Sequence, residues 1–274
     1  MKNLANEIVA WLKDYAGTNN RKAFVLGVSG GVDSALVSTL CSMTELPTHC
    51  VVMPCQTKPD QTDRGNIHID WLMKNFPNVV YHKIDLTETF ESFKNEVKYK
   101  YESDLAFANT KSRLRMISLY QVATCAGGLV VGTGNKVEDY GVGFFTKYGD
   151  GGIDISPIAD LTKTEVRAMC RELGVLPELA EAISTDGLWE DTRTDEDQLG
   201  ATYAELEWAM SHLEVPVFER SEITSRQLEV LNTYTKWNKA GKHKILPVPT
   251  FKRTFIARSE NPRSNSDCSD CPDC

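Results

Sequence analysis

Apolar residues in the first half of the chain fall into two kinds of run. Leu4, Ile8, Trp11, Leu12 and Tyr15 recur at helical spacing and predict an amphipathic helix over 4–15. Phe24-Val25-Leu26 is unbroken and short, which predicts a strand over 23–28, with a helix following at about 33–43. His49 to Pro54 predicts a second strand, Val79 to Asp85 a third, and Leu129 to Thr133 a fourth. Strands that are apolar along their length suit a parallel sheet buried on both faces. Between them, polar and apolar positions predict helices over about 63–75, from about 87 beneath Phe90 and Phe93, and over 104–126. Strands alternating with helices make the fold class α/β: a doubly wound, mostly parallel sheet with helices on both faces. Ligands of such sheets bind beyond the carboxyl ends of the strands, and the loops at 27–34 and 55–62 share that edge.

The second half predicts helices. Thr162-Lys163-Thr164-Glu165 has the form of a capping box and opens a helix to Leu173, stopped by Gly174. A short helix over 177–183 and amphipathic helices over 199–213 and 221–234 follow, and are expected to extend the same core. Residues 184–198 carry Asp186, Glu190, Asp191, Asp195, Glu196 and Asp197 and read as a solvated loop. Lys236, Lys239, Lys242, His243, Lys244, Lys252 and Arg253, crossed by Pro247 and Pro249, form a basic, Pro-stiffened strip suited to an anion. Residues 1–253 are expected to be one domain, and 254–274 a flexible tail containing Cys268, Cys271 and Cys274.

Composition narrows the classes. A net charge of −8 over 274 residues argues against a broad nucleic-acid surface. The N-terminus lacks the apolar core of a signal peptide, and no stretch approaches the ~20 apolar residues of a membrane span. A cytoplasmic protein is the expectation. Cys41, Cys50, Cys55, Cys125 and Cys170 then read as buried small hydrophobes in a reducing compartment.

The stretch Gly27-Val28-Ser29-Gly30-Gly31-Val32-Asp33-Ser34 joins the first strand to its helix. Glycines let backbone N–H groups converge, the helix N-terminus is partly positive, and two serines add hydroxyls. This is a phosphate cradle. It lacks the lysine of a Walker A loop and carries Asp33 instead, which makes sense where a divalent cation bridges the acid to phosphates. The region from Thr133 to Gly152 is the other unusual one. Six glycines surround Phe144-Phe145-Thr146-Lys147-Tyr148, a composition suited to a ligand with rings and phosphates.

Ser29-Gly30-Gly31-Val32-Asp33-Ser34 resembles the pyrophosphate loop of the N-type ATP pyrophosphatases, enzymes that adenylate a substrate while cleaving ATP to AMP and pyrophosphate. Gly143 to Gly152, followed by Asp154 and Pro157, resembles the signature of NAD synthetases. Arg113 to Met116, Gly132-Thr133, Leu161-Thr162-Lys163 and His243-Lys244 match further motifs of that family in the same order. The resemblance covers residues 1–253. It implies a Rossmann-like, adenine nucleotide alpha-hydrolase-like fold and amidation of deamido-NAD by ammonia to give NAD, AMP and pyrophosphate. It assigns residues 27–34, Thr133, Lys163 and Thr185 to ATP, and Asp33 and Glu138 to Mg2+. It assigns Arg113, Lys147, Asp154, His243 and Lys244 to deamido-NAD. Asp33, Lys163 and Asp154 become the catalytic candidates, Asp154 by orienting or deprotonating ammonia. Family members are homodimers. In one place the chain departs from the pattern: the segment from Thr133 to Asp139 lacks a histidine and is one residue longer before Phe144.

The chemistry agrees. A carboxylate becomes reactive once AMP is its leaving group, so no nucleophilic side chain is needed. His49, His68, His82 and His212 read as structural. No length remains for a glutaminase domain, which leaves ammonia as the nitrogen donor. Two rivals stand beside this reading. The Cys268-x-x-Cys271 tail fits a tRNA-modifying relative, and the fold alone fits a nucleotide sensor.

Overall fold

The computed structural model describes residues 1–57, 59–185, 187–189, 193–214 and 222–253. The tail with Cys268, Cys271 and Cys274 lies outside them, as do Asp186, Glu190, Asp191 and Ser221.

Helix α1 (Lys2–Thr18) leads into strand β1 (Phe24–Gly27), helix α2 (Val32–Ser42) and strand β2 (Thr48–Val52). Helix α3 (Pro59–Asn75), strand β3 (Val79–Lys83), helices α4 (Thr87–Tyr101) and α5 (Asp104–Ala126), and the short strand β4 (Leu129–Val130) complete the sheet. The strands are parallel in the order β3-β2-β1-β4. A parallel bridge from Val131 to Ile155 carries the edge one residue further.

Alternation along the strands sorts side chains onto two faces. Phe24, Leu26, Cys50, Val52, Leu129 and Val131 enter one apolar cluster, shared with α1, α2 and α3. Val25, Val51, Met53 and Val130 enter the other, beneath α4 and α5. The pleat requires this, because successive Cβ atoms point to opposite faces. Helix α2 is buried nearly all round, which explains why its sequence is not amphipathic.

The chain leaves β1 toward β2 on one side, and β4 lies on the other. The carboxyl ends of β1 and β4 therefore flank the point where strand order reverses, the place where open α/β sheets hold ligands.

Beyond β4 the structure departs from the sequence reading in four ways. Residues Lys136–Val142 form a π-helix rather than a glycine-rich loop, capped at one end by Asn135 and closed by Gly143 at φ +69°. Helices α6 (Lys163–Glu172) and α7 (Pro177–Ala180) do join the first core through Val166, Met169, Cys170 and Leu179. Helices α9 (Tyr203–Glu214) and α10 (Ser225–Ile245) instead pack with the π-helix around a third cluster containing Val137, Val142, Leu206, Val230 and Tyr234. The basic strip is not an extended end through Lys244: Lys236 to Lys244 lie inside α10, whose last turn carries Lys242, His243 and Lys244. Cations there oppose the negative end of the helix, and the prolines begin only after it. The acidic run is not wholly a solvated loop, because Thr194 caps a short helix α8 (Asp195–Leu199) and Asp195 is buried.

Of the described cysteines, Cys41, Cys50, Cys55 and Cys170 are buried thiols, while Cys125 is exposed at the end of α5. Burial pushes the Cys50 and Cys170 thiols up to about 12, consistent with inert packing groups. His49, His68, His82 and His212 pack against neighbouring groups of the fold. His68 is enclosed, with Nε2 2.8 Å from Ser38 Oγ, His49 and His82 stack on one another, and His212 stacks on Trp208.

Candidate active site

One cavity of about 850 Å³ opens at the carboxyl ends of β1, β2 and β4. The loop after β1 forms its floor. Ser29 N–H donates to Ser34 Oγ (3.2 Å), Gly31 N–H to Ser29 Oγ (3.2 Å) and Ser34 O–H to the Gly31 carbonyl (3.0 Å). The serine oxygens thus accept from the Ser29 and Gly31 N–H groups of the loop. Gly30 sits at φ +82°, a conformation that costs other L-residues dearly, and this turn brings the loop amides together ahead of α2. Gly27, Val28, Ser29, Gly30, Gly31, Asp33 and Ser34 all line the cavity. Val32 does not: its side chain is in the core, and only its backbone belongs to the helix N-terminus.

Beside the loop lies a charged cluster assembled from five elements: α2, the π-helix, α6, α8 and α9. Lys163, the first residue of α6, reaches Asp33 Oδ2 at 2.6 Å and Glu138 Oε2 at 3.0 Å. Burial by itself would lower its ammonium pKa, but Asp33 and Glu138 outweigh that and raise it above the ordinary lysine value. The Asn135 amide donates to Asp33 Oδ1 (3.2 Å) and Glu138 Oε2 (2.8 Å), while its oxygen caps the π-helix through Val137 and Glu138 N–H. Tyr203, at the start of α9, places its hydroxyl 3.1 Å from both Glu138 Oε2 and Asp195 Oδ2. The Lys163 ammonium lies 4.5 Å from the centre of the Tyr203 ring. Burial first, then Glu138 and Asp195, hold the Tyr203 phenol above its ordinary value, so it is a hydroxyl at neutral pH.

Asp139 borders the same cluster. Desolvation, with Glu138, Asp150 and Asp33 close by, raises its carboxyl well above the usual carboxylate range; Lys163 opposes them. Gly134 faces that carboxyl, and any Cβ there would overlap it.

The far end of the cavity is built from α5, the 143–152 turn and the end of α10. Arg113 donates to the Lys147 carbonyl at 3.4 Å, and Lys147 donates to the His243 carbonyl at 3.0 Å. Lys244 donates to the carbonyls of Gly143 and Phe145, and burial lowers its pKa while Asp150 and Asp139 act the other way. Asn238 donates to the Gly141 carbonyl. Gly143 and Gly241 approach so closely that a Cβ on Gly143 would lie 2.8 Å from Gly241 Cα. Asp150 fastens the turn internally, accepting from Ser112 O–H (2.7 Å) and Thr146 N–H (3.0 Å). Two arginines of α5, separated by Leu114, divide their work. Arg113 is exposed at the cavity mouth, and Arg115 ties α5 to Met53 O and Thr57 Oγ1 behind the loop after β2.

The structure therefore brings Asp33, Thr133, Glu138, Lys163, Thr185, Arg113, Lys147, His243 and Lys244 to one cavity. It does not bring Asp154 there. The Asp154 carboxylate is exposed and accepts from Val130 N–H (2.8 Å) and Tyr120 O–H (3.0 Å), at the edge of β4. Asn135, Asp139, Tyr203 and Asp195 were missed by sequence reasoning. The spacing Thr194-x-x-Asp197 signals the cap that buries Asp195; nothing local distinguishes Tyr203 from any other aromatic of an amphipathic helix.

A family model described as NAD synthase matches residues 4–247. The chain is similar to an NH(3)-dependent NAD(+) synthetase of Carboxydothermus hydrogenoformans, 38% identical over 207 residues, covering 73% of this chain and 82% of that protein. It is 34% identical to the enzyme of the same name from Saccharolobus solfataricus over 254 residues, covering 91% and 88%. Among solved structures it is similar to that of an NMN synthetase from Francisella tularensis, with TM-score 0.81, 29% identity, and 92% and 98% of the two chains covered.

Proposed function

Because this chain belongs to the NAD synthase family, we propose that its cavity amidates deamido-NAD with ammonia, at the expense of ATP, giving NAD, AMP and pyrophosphate. The observation that supports this most directly is the position of Lys163, Asp33 and Glu138 beside a phosphate cradle, with cationic side chains lining the opposite end of the same cavity.

The reaction is read in two steps. The loop amides over 29–34 and the N-terminus of α2 hold the ATP phosphates, and Thr133 and Thr185 border the nucleotide. The substrate carboxylate attacks the α-phosphorus, the bond to the β-phosphate oxygen breaks, and pyrophosphate leaves. Lys163 is placed to neutralise charge growing on that leaving group. Ammonia then attacks the acyl-adenylate carbonyl, the bond to AMP breaks, and a proton passes to solvent or a nearby base. Arg113, Lys147, His243 and Lys244 position deamido-NAD. Their partial commitment to backbone carbonyls keeps them aimed at the cavity rather than at bulk water.

Asp33 and Glu138 fit a magnesium ion. Both are carboxylates, the hard oxygen donors that Mg2+ prefers, and Glu138 Oε1 carries no hydrogen bond among the described residues. Bound there, the ion would neutralise phosphate charge. Asp154 stands outside the cavity of its own protomer, so its part in binding deamido-NAD or orienting ammonia requires a second copy of the chain. A homodimer agrees with the exposed Phe93, Tyr99, Tyr101, Leu105 and Ile117 of α4 and α5. The same reading takes residues 1–253 as the working unit, needs no nucleic acid or membrane, and keeps the reaction in the cytoplasm. Among the described residues no helix is long and apolar enough to cross a membrane.

A second reading concerns substrate length. The similarity to an NMN synthetase extends over nearly the whole of both chains, which favours testing nicotinic acid mononucleotide beside the dinucleotide. Protein, Mg-ATP and ammonium are mixed with either acid, and amide product, AMP and pyrophosphate are measured. Dependence on deamido-NAD with AMP as product is the expected result. ADP as product would overturn the proposal, and a higher kcat/KM for the mononucleotide would establish the second reading.

A further inference from the structure

Three donors converge on a single oxygen of Glu138. Lys163 Nζ, Asn135 Nδ2 and the Tyr203 hydroxyl lie 3.0, 2.8 and 3.1 Å from Oε2. The other oxygen, Oε1, has no hydrogen-bonded partner among the described residues, and Glu138 lines the cavity. Two of these donors come from Asn135 and Tyr203, which are buried and outside the roles assigned so far. Asn135 is fully used: its oxygen takes two backbone N–H groups and its amide nitrogen serves both acids. The Tyr203 hydroxyl has one proton to give, shared between Glu138 Oε2 and Asp195 Oδ2, which lies 3.1 Å away and is buried at the start of α8. The Tyr203 ring also lies against the Lys163 ammonium, so one side chain borders the acid and the cation together.

We propose that Tyr203 is a positioning residue of the ATP site: with Asn135 it pins Glu138 by Oε2 so that Oε1 is held ready for a divalent cation. This rests on reading Asp33 and Glu138 as the metal-holding acids. Without the phenol, Glu138 Oε2 would keep only Lys163 and Asn135, and the carboxylate would be held less narrowly. The entropy of that freedom would have to be removed each time a cation bound. Hydrogen bonds to a ligating carboxylate set metal affinity in just this way, and their loss typically weakens it by about 10-fold or more.

Tyr203→Phe is the discriminating variant, because it keeps the ring beneath Lys163 and the packing of α9 while removing only the hydroxyl. Mn2+ binding is measured by electron paramagnetic resonance on the full chain with a non-hydrolysable ATP analogue, and Mg2+ activation by ATP–pyrophosphate exchange. The expected result is Mn2+ affinity lower by about 10-fold, a Mg2+ activation constant raised in parallel, and exchange restored at high Mg2+. Mn2+ affinity equal to that of the unaltered protein would overturn the proposal, whatever happens to stability. If the unaltered protein binds no Mn2+ beside the analogue, the metal reading itself fails and takes this proposal with it. That result is distinct from a metal site indifferent to Tyr203.

Discussion

Lys163 Nζ lies 2.6 Å from Asp33 Oδ2, although 130 residues separate them in the chain. Each is the beginning of a helix: Lys163 opens α6, and Asp33 is the second residue of α2. The packing of those two helices, through Val32, Leu36, Val166, Met169 and Cys170 in one apolar cluster, sets the distance between the two charges. The ion pair is the outcome of core packing, and its removal should be felt in stability and in chemistry together.

Lys163→Met leaves Asp33 and Glu138 crowded without their cation. Stability should fall by about 3 kcal/mol, as when one partner of a buried pair is removed. ATP–pyrophosphate exchange should fall about 10²- to 10³-fold, the scale of losing one group that stabilises developing charge. Urea unfolding and exchange assays on the same preparation check both; retention of exchange would remove Lys163 from the adenylation step.

Gly30→Ala tests the phosphate cradle. At φ +82° a Cβ costs about 1–2 kcal/mol, and the loop must shift to relieve it. The displaced amides should meet the phosphates poorly, and losing about 1–1.5 kcal/mol of that binding raises the KM for ATP about tenfold. Initial rates of pyrophosphate release across ATP concentrations decide the matter, with an unchanged KM counting against the cradle.

His68 makes stability depend on pH. Its imidazole is enclosed between α2 and α3, and burial pushes its pKa down to about 4. In the unfolded chain the same ring takes up a proton near the usual 6.5. Below that value the unfolded state binds the extra proton, so stability is complete above about pH 6.5 and declines as pH falls toward 4. Between pH 7 and pH 5 the loss from this group is about 2 kcal/mol. Denaturant unfolding of the unaltered protein and His68→Gln at both pH values reveals it: the variant should lose less across the interval, and parallel losses would exclude His68.

Ile117→Glu tests assembly. Ile117 is exposed on α5, and a carboxylate there costs little in a monomer but much in an apolar interface. Sedimentation should show a dimer for the unaltered protein and a shift toward monomer for the variant, with its thermal midpoint little changed. A monomeric unaltered protein would end the homodimer reading, and with it any role for Asp154 in the chemistry.

Local chemistry determined much of this protein in advance. Unbroken apolar runs at Phe24–Leu26 and Cys50–Val52 can be buried only in a two-faced sheet, so the parallel α/β architecture was legible. The Gly30-Gly31 turn before α2 and the Thr162–Glu165 capping box act over a few residues, and both appear as read. Helix α5 even matches its expected limits. Other features depend on contacts that a local pattern does not carry. The π-helix at 136–142 lies between Asn135 and Gly143, both fastened by tertiary contacts that the local pattern does not carry. Residues 236–244 continue α10 because its face packs on the π-helix, which no run of lysines announces. Asp195 and Tyr203 enter the site only because α8 and α9 fold back onto Glu138, 65 residues before Tyr203. A charge or hydroxyl becomes part of a site through what packs against it, and that is decided by the arrangement of helices in space.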